Sequence, residues 1–153
     1  MKPTLGRCWA RRGIRPRALV KPAYHNFYLY ASVSPHSGES VILFLPWVNS
    51  EIMSLYLKQL AATYADQEII LIMDRAGWHQ ASNLIVPANL TIIFLPPYSP
   101  ELNPSEKLWQ WLRRHVCRNR LFQSEKELMD ALQQTLNQMS PKQLATLCHC
   151  SYL

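Results

Sequence analysis

Apolar and polar positions along this chain alternate between short strand-like runs and helical stripes. Phe27 to Val33 is rich in β-forming residues, and Val41-Ile42-Leu43-Phe44-Leu45 is continuously apolar. The turn signal Pro35-His36-Ser37-Gly38 between them predicts an antiparallel hairpin. Asn49 or Ser50 caps a helix carrying Ile52, Met53, Tyr56, Leu57, Leu60, Ala61 and Tyr64 on one stripe. Glu68 to Met73 reads as a third strand, apolar on both faces, and is expected deep in a sheet with helices on either side. Residues 79–86 are expected to form a short helix ended by Pro87, and Thr91 to Leu95 a fourth strand. Beyond Asn103 the chain reads as helical. Leu108, Trp109, Leu112 and Val116 form one stripe; Ser124 and Glu127 open a second helix; Ser140-Pro141 opens a third. The order ββαβ(α)βααα is that of an α/β layer fold.

Two carboxylates stand where such a fold places its chemistry. Asp74 closes the apolar strand Glu68–Met73, and the carboxyl ends of strands in open α/β sheets are where ligands bind. Glu106 falls in the first turn of the helix opened by Asn103-Pro104, after the rigid corner Pro96-Pro97-Tyr98-Ser99-Pro100. A strand ending in Asp, a second strand and a helix opening with Glu bring two carboxylates to one sheet edge. Such a pair can hold divalent metal for phosphoryl transfer, and hard oxygen donors suit Mg²⁺ or Mn²⁺. Each residue also has a purely structural role open to it. Asp74 can serve as a turn residue, and Glu106 can complete a capping box with Asn103. His79, five residues after Asp74, can approach the same edge or bond a backbone carbonyl.

Charge adds a partner. The net charge is +6, and the first acid is Glu39. Lys2, Arg7, Arg11, Arg12, Arg15, Arg17 and Lys21 precede it, whereas the remaining nine Lys and Arg face ten acids. So one-sided a segment attracts polyanions, nucleic acid first, or is simply a solvated basic tail. A 48% hydrophobic composition excludes a disordered tail. No apolar run approaches the length of a membrane span, and the basic start lacks a signal peptide's apolar stretch; a cytoplasmic protein, nucleoid-associated when on DNA, is expected. The four cysteines, Cys8, Cys117, Cys148 and Cys150, match no paired zinc spacing. Cys148-His149-Cys150 reads either as a soft-metal site or as reduced thiols near the last helix.

Asp74-Arg75-Ala76-Gly77-Trp78-His79 and the string from Phe94 to Trp109 (Phe-Leu-Pro-Pro-Tyr-Ser-Pro-Glu-Leu-Asn-Pro-Ser-Glu-Lys-Leu-Trp) resemble the catalytic domain of mariner-superfamily insertion-sequence transposases. Trp9-Ala10-Arg11-Arg12-Gly13 resembles that family's Trp-x-x-basic-Gly segment, which follows its first catalytic strand. The resemblance implies a ribonuclease H-like mixed sheet flanked by helices. It also implies a triad of acids holding two Mg²⁺ ions, and cleavage and strand transfer of DNA at transposon ends and target. Asp74 matches the second acid and Glu106 the third. Arg75 stands where the family usually has Asn.

The first acid belongs upstream of the Trp-x-x-basic-Gly segment, where this chain has none. The resemblance therefore implies a partial catalytic domain over 23–153, lacking its first, central strand, with 1–22 as a basic remnant of the first strand-to-strand connection. Each unsatisfied buried backbone group costs about 1–3 kcal/mol, against a domain stability of about 5–15 kcal/mol. An inactive, weakly stable fragment is the expectation, with Arg7, Arg11, Arg12, Arg15 and Arg17 contacting DNA, and His79 and Asn103 near the site. The rival reading is a non-catalytic DNA-binding or regulatory module that pairs with full-length transposase or with itself. An unselected gene remnant is the third.

Overall fold

A computed structural model describes residues 9–13, 27–76 and 83–150. β1 (Tyr28–Val33) and β2 (Ser40–Leu45) form the expected antiparallel hairpin, in register from Tyr28↔Leu45 to Val33↔Ser40. Its turn closes through the Gly38 amide on the Ser34 carbonyl and the Ser34 amide on the Glu39 carbonyl, both at 2.8 Å. Gly38 is required twice. Its φ of +76° is left-handed, and a Cβ there would lie 1.8 Å from the Pro141 carbonyl oxygen.

α1 (Ser50–Thr63) starts at Asn49, whose Oδ1 accepts the Ile52 amide at 2.8 Å. β3 (Ile69–Met73) pairs in parallel with β4 (Leu90–Phe94), from Ile69↔Leu90 to Met73↔Phe94. Asn89, just before β4, donates from Nδ2 to the carbonyls of Ala61 and Tyr64, at 3.3 and 3.2 Å, tying the end of α1 to the start of this pair. A 3₁₀ turn (Pro100–Leu102) leads to α2 (Ser105–Leu112), which continues as a π turn over Arg113–Cys117. The wider turn brings the consecutive residues Val116 and Cys117 into the core. α3 (Glu125–Asn137) and α4 (Pro141–Cys148) follow. α4 has a complete capping box between Ser140 and Gln143. At α3, Ser124 accepts the Glu127 amide, but Glu127 takes the Gln123 amide instead of closing the box.

Among the described residues the strands make two sheets of two, β1–β2 and β3–β4. Two apolar clusters pack on them. One joins α1, through Met53, Tyr56, Leu57 and Leu60, to residues of all four strands. The other joins α2, α3 and α4 to the opposite face of the hairpin, through Leu29, Ala31, Val33, Ile42 and Phe44. The hairpin is therefore covered on both faces. The β3–β4 pair is not: Ile69, Leu71 and Met73 join the α1 cluster, whereas Ile70 and Ile93 are 67% and 49% exposed. This corrects the expectation that both faces of β3 lie under helices, because α2–α4 pack behind the hairpin instead. The expected helix over 79–86 is also corrected where it is described. Residues 83–87 form a turn and chain without regular secondary structure; residues 77–82 lie outside the described residues, as does the expected boundary at residue 22.

Candidate functional site

The ladder between β3 and β4 continues one step beyond the strands, where the Leu95 amide donates to the Met73 carbonyl at 2.9 Å. Arg75 then donates from Nε to the Leu95 carbonyl at 3.2 Å, pinning the two strand ends together. Asp74 sits between these anchors. Its Oδ1 accepts the Ala76 amide at 3.1 Å, so the turn role is real, and the side chain is exposed at the strand's carboxyl end.

The proline-rich corner delivers Glu106 from the other side. Tyr98 sits at φ +58° and is fully exposed. Asn103 Oδ1 accepts the Ser105 amide at 3.1 Å, and the Asn103 carbonyl accepts the Glu106 amide at 3.1 Å. The helix thus begins one residue later than expected, with Pro104 at the cap and no side-chain capping bond. No capping box forms, so the Glu106 carboxylate is not spent on the helix end.

Asp74, Asn103 and Glu106 all line one groove of about 740 Å³. The whole of β1 and the whole of β3 form its walls, and α1 and α2 contribute residues such as Tyr56 and Trp109. Tyr56 is held there through its hydroxyl, 2.8 Å from Ser32 Oγ and donating to the Val41 carbonyl at 3.0 Å. Burial raises its pKa, so it stays a neutral phenol. Trp109 was read as a core residue from its stripe. It also faces the groove, and the available signal was its position three residues after Glu106, on the same helical face.

The two carboxylates offer hard oxygen donors of the type that Mg²⁺ and Mn²⁺ take. Among the described residues, no group of three or more His, Cys, Asp or Glu side chains gathers as a metal site. Of the other predicted residues, Arg11 and Arg12 are exposed and lie off the groove walls. Arg7, Arg15, Arg17 and His79 lie outside the described residues. Cys117, Cys148 and Cys150 are buried and form no disulfide. Burial pushes Cys148 up to about 11, which keeps it protonated and disfavours it as a thiolate ligand. No helix among the described residues is long and apolar enough to cross a membrane.

Fold and site thus define a mixed α/β domain with two carboxylates lining one groove between its sheets. Residues 1–129 match the DDE superfamily endonuclease family, and the chain belongs to that family. The family implies transposase-type DNA cleavage, with DNA as partner, and its endonucleases generally use divalent metal ions. The chain is 39% identical to the uncharacterized protein y4pE/y4sA of Sinorhizobium fredii (strain NBRC 101917 / NGR234), over 67% of this chain and 76% of that one. It is 30% identical to an uncharacterized 39 kDa protein of insertion element IS630 from Shigella sonnei, over 92% of this chain and 43% of that one. No solved structure matches the chain.

Proposed function

We propose that this chain is the C-terminal part of a DDE transposase catalytic domain of the mariner type, with Asp74 and Glu106 as two of its catalytic acids. The observation that carries this reading is that two carboxylates 32 positions apart in sequence line one groove, at the carboxyl end of β3 and in the first turn of α2. The likeness to the insertion-element protein supports it. Asp74 and Glu106 would hold divalent metal there; bound Mg²⁺ or Mn²⁺ would supply the positive charge that phosphoryl transfer to water or to a 3′-hydroxyl requires. The protein's own part is to fix the two carboxylates at one edge, with Arg75 pinning the strand ends and Asn103 setting the entry into α2. A third acid on a strand between β1 and β3 would complete the set, and without it the chain does not cleave.

The test is Mg²⁺-dependent nicking of DNA carrying transposon ends. The chain alone is expected to be inactive. The chain joined to a strand ending in Asp is expected to nick, with at least a hundredfold loss on Asp74→Asn or Glu106→Gln. Robust cleavage by the chain alone, lost on Asp74→Asn, would overturn the inactivity. Cleavage by the completed protein that is indifferent to both substitutions would overturn the site.

A non-catalytic DNA-binding role is the second reading, favoured by the exposure of Arg11 and Arg12. Affinity for DNA should then fall steeply with salt, and Arg11→Ala with Arg12→Ala should weaken it while Glu106→Gln does not.

A further inference from the structure

Positive charge beyond the N-terminal segment is concentrated in one place. Five of the nine Lys and Arg after residue 21 fall between Lys107 and Arg120, and no Asp or Glu occurs from 107 to 124. Lys107 is tied to the His149 carbonyl. The other four, Arg113, Arg114, Arg118 and Arg120, follow the end of α2, and all four are exposed. The π turn makes a patch of them. It draws Val116 and Cys117 into the core and leaves Arg113 and Arg114 on its outer side. Between Arg118 and Arg120, Asn119 turns the chain with a left-handed φ of +53°. Burial raises the pKa of the Cys117 thiol, and the positive charges of Arg113 and Arg120 both pull against it. Two arginines seven positions apart thus sit over one point of the core. The Arg120 guanidinium is held 4.8 Å from the centre of the Phe122 ring, and His115 stacks on Trp111 at 4.2 Å on the same turn.

The patch continues the groove-facing side of α2. Glu106 and Trp109 line the groove. Arg113 comes two helical turns after Glu106 and therefore lies on the same side of the helix. The axial rise over that distance is about 10 Å, the span of about three base pairs. A duplex with one phosphate at the two acids can lay its adjoining phosphates on the arginines. The chemistry also favours a polymer over a small anion. Four guanidiniums spread along the end of a helix and the turn after it exceed what one phosphate can engage, whereas duplex DNA presents a charge about every 1.7 Å of its axis.

We propose that Arg113, Arg114, Arg118 and Arg120 form a phosphate-binding rim that seats duplex DNA beside the groove, on its α2 side. Phosphate contacts of this kind fix the position of a duplex without reading its sequence. The proposal rests on the reading above that DNA is the substrate. It adds a seat separate from the basic N-terminal segment, to which the charge pattern of the sequence points first.

The full chain is titrated with a fluorescent duplex of about 30 base pairs and mixed sequence, in EDTA so that no metal bridges protein and DNA. With Arg113→Gln, Arg114→Gln, Arg118→Gln and Arg120→Gln combined, the slope of log Kd against log salt should become shallower by about three. Affinity at about 50 mM salt should fall at least thirtyfold. The same four positions changed to Lys should restore the slope to within about one of the parent, because charge sets it. A lost slope that Lys does not restore would mark a structural role and would overturn the proposal. So would affinity within twofold of the parent in the Gln variant, or a slope that vanishes in Arg11→Ala/Arg12→Ala with the rim intact. Equal affinity for poly-L-glutamate of matched charge would also overturn it, because the rim would then be a surface for any polyanion. Asp74→Asn/Glu106→Gln should not weaken binding in EDTA. Rim-dependent binding without nicking by the completed protein would defeat the endonuclease reading alone. Nicking that is indifferent to the rim would defeat the rim alone.

Discussion

The hairpin and the β3–β4 pair are both short and both largely apolar, yet they are treated differently by the rest of the chain. Both faces of the hairpin are buried, one under α1 and one under α2–α4. The β3–β4 pair has α1 on one face and leaves Ile70 and Ile93 exposed on the other. What joins the pairs is the α1 cluster, which draws residues from all four strands; among the described residues no hydrogen-bonded ladder runs between them. The hairpin half is therefore a locally complete layer structure, and the β3–β4 half, which carries Asp74, depends on side-chain packing through α1. The candidate site takes Asp74 from the half with one face uncovered, as expected where a site must admit a ligand or partner.

The largest effect that would test this contrast is at Leu57, which is fully buried in α1. Leu57→Ala should cost about 3–5 kcal/mol in denaturant unfolding. Amide exchange should show β3–β4 losing protection before the hairpin does. Equal loss in both halves would break the distinction between them. Gly38→Ala comes next, at about 2–4 kcal/mol, because it combines a left-handed φ with a collision against Pro141. Its damage should appear first where the hairpin turn meets α4, with β3–β4 unaffected.

A smaller effect follows pH. Cys148 lies in the cluster behind the hairpin, and burial holds its pKa at about 11 in the folded state, above its ordinary value. A raised pKa means that its contribution is complete below the ordinary thiol range and is lost as pH rises through about 11. The native chain should lose stability across that window relative to Cys148→Ala, by an amount measurable in paired urea titrations. A parallel response in the two proteins would show that the thiol is not sealed behind the hairpin. The smallest effect is expected at Ile70. Ile70→Thr should stay within about 0.5 kcal/mol of the parent, because the side chain is already in solvent. A cost above about 1 kcal/mol would show that this face of β3 is covered after all.

Much of the architecture was legible residue by residue. The turn at Pro35–Gly38, the cap at Asn49, the strand ending in Asp74 and the stripe Leu108, Leu112, Val116 all lie in the elements that the spacing predicts. The meeting of Asp74 and Glu106 on one groove was also foreseeable, from a strand end and a helix start. The capping of α2 was not. Asn103 and Glu106 have the spacing of a capping box, but the helix starts one residue later, after the 3₁₀ turn at Pro100–Leu102, and Asn103 accepts the Ser105 amide from outside the cap position instead. The burial of β3 was not legible either. An apolar run reports that a strand can be buried on both faces, and it cannot report whether a helix is left to cover the second one.

By itself, then, the order of residues determined the kinds of element, their approximate limits and an acid at one strand end and one helix start, because these depend on φ/ψ preference and on neighbours a few positions apart. Only the tertiary structure decided that the strands form two pairs, that α2–α4 back the hairpin alone, and that β1 and β3 face each other across a groove. Those outcomes turn on which strand edges and helix faces find each other across long stretches of chain, and the packing of α1 against all four strands makes that choice.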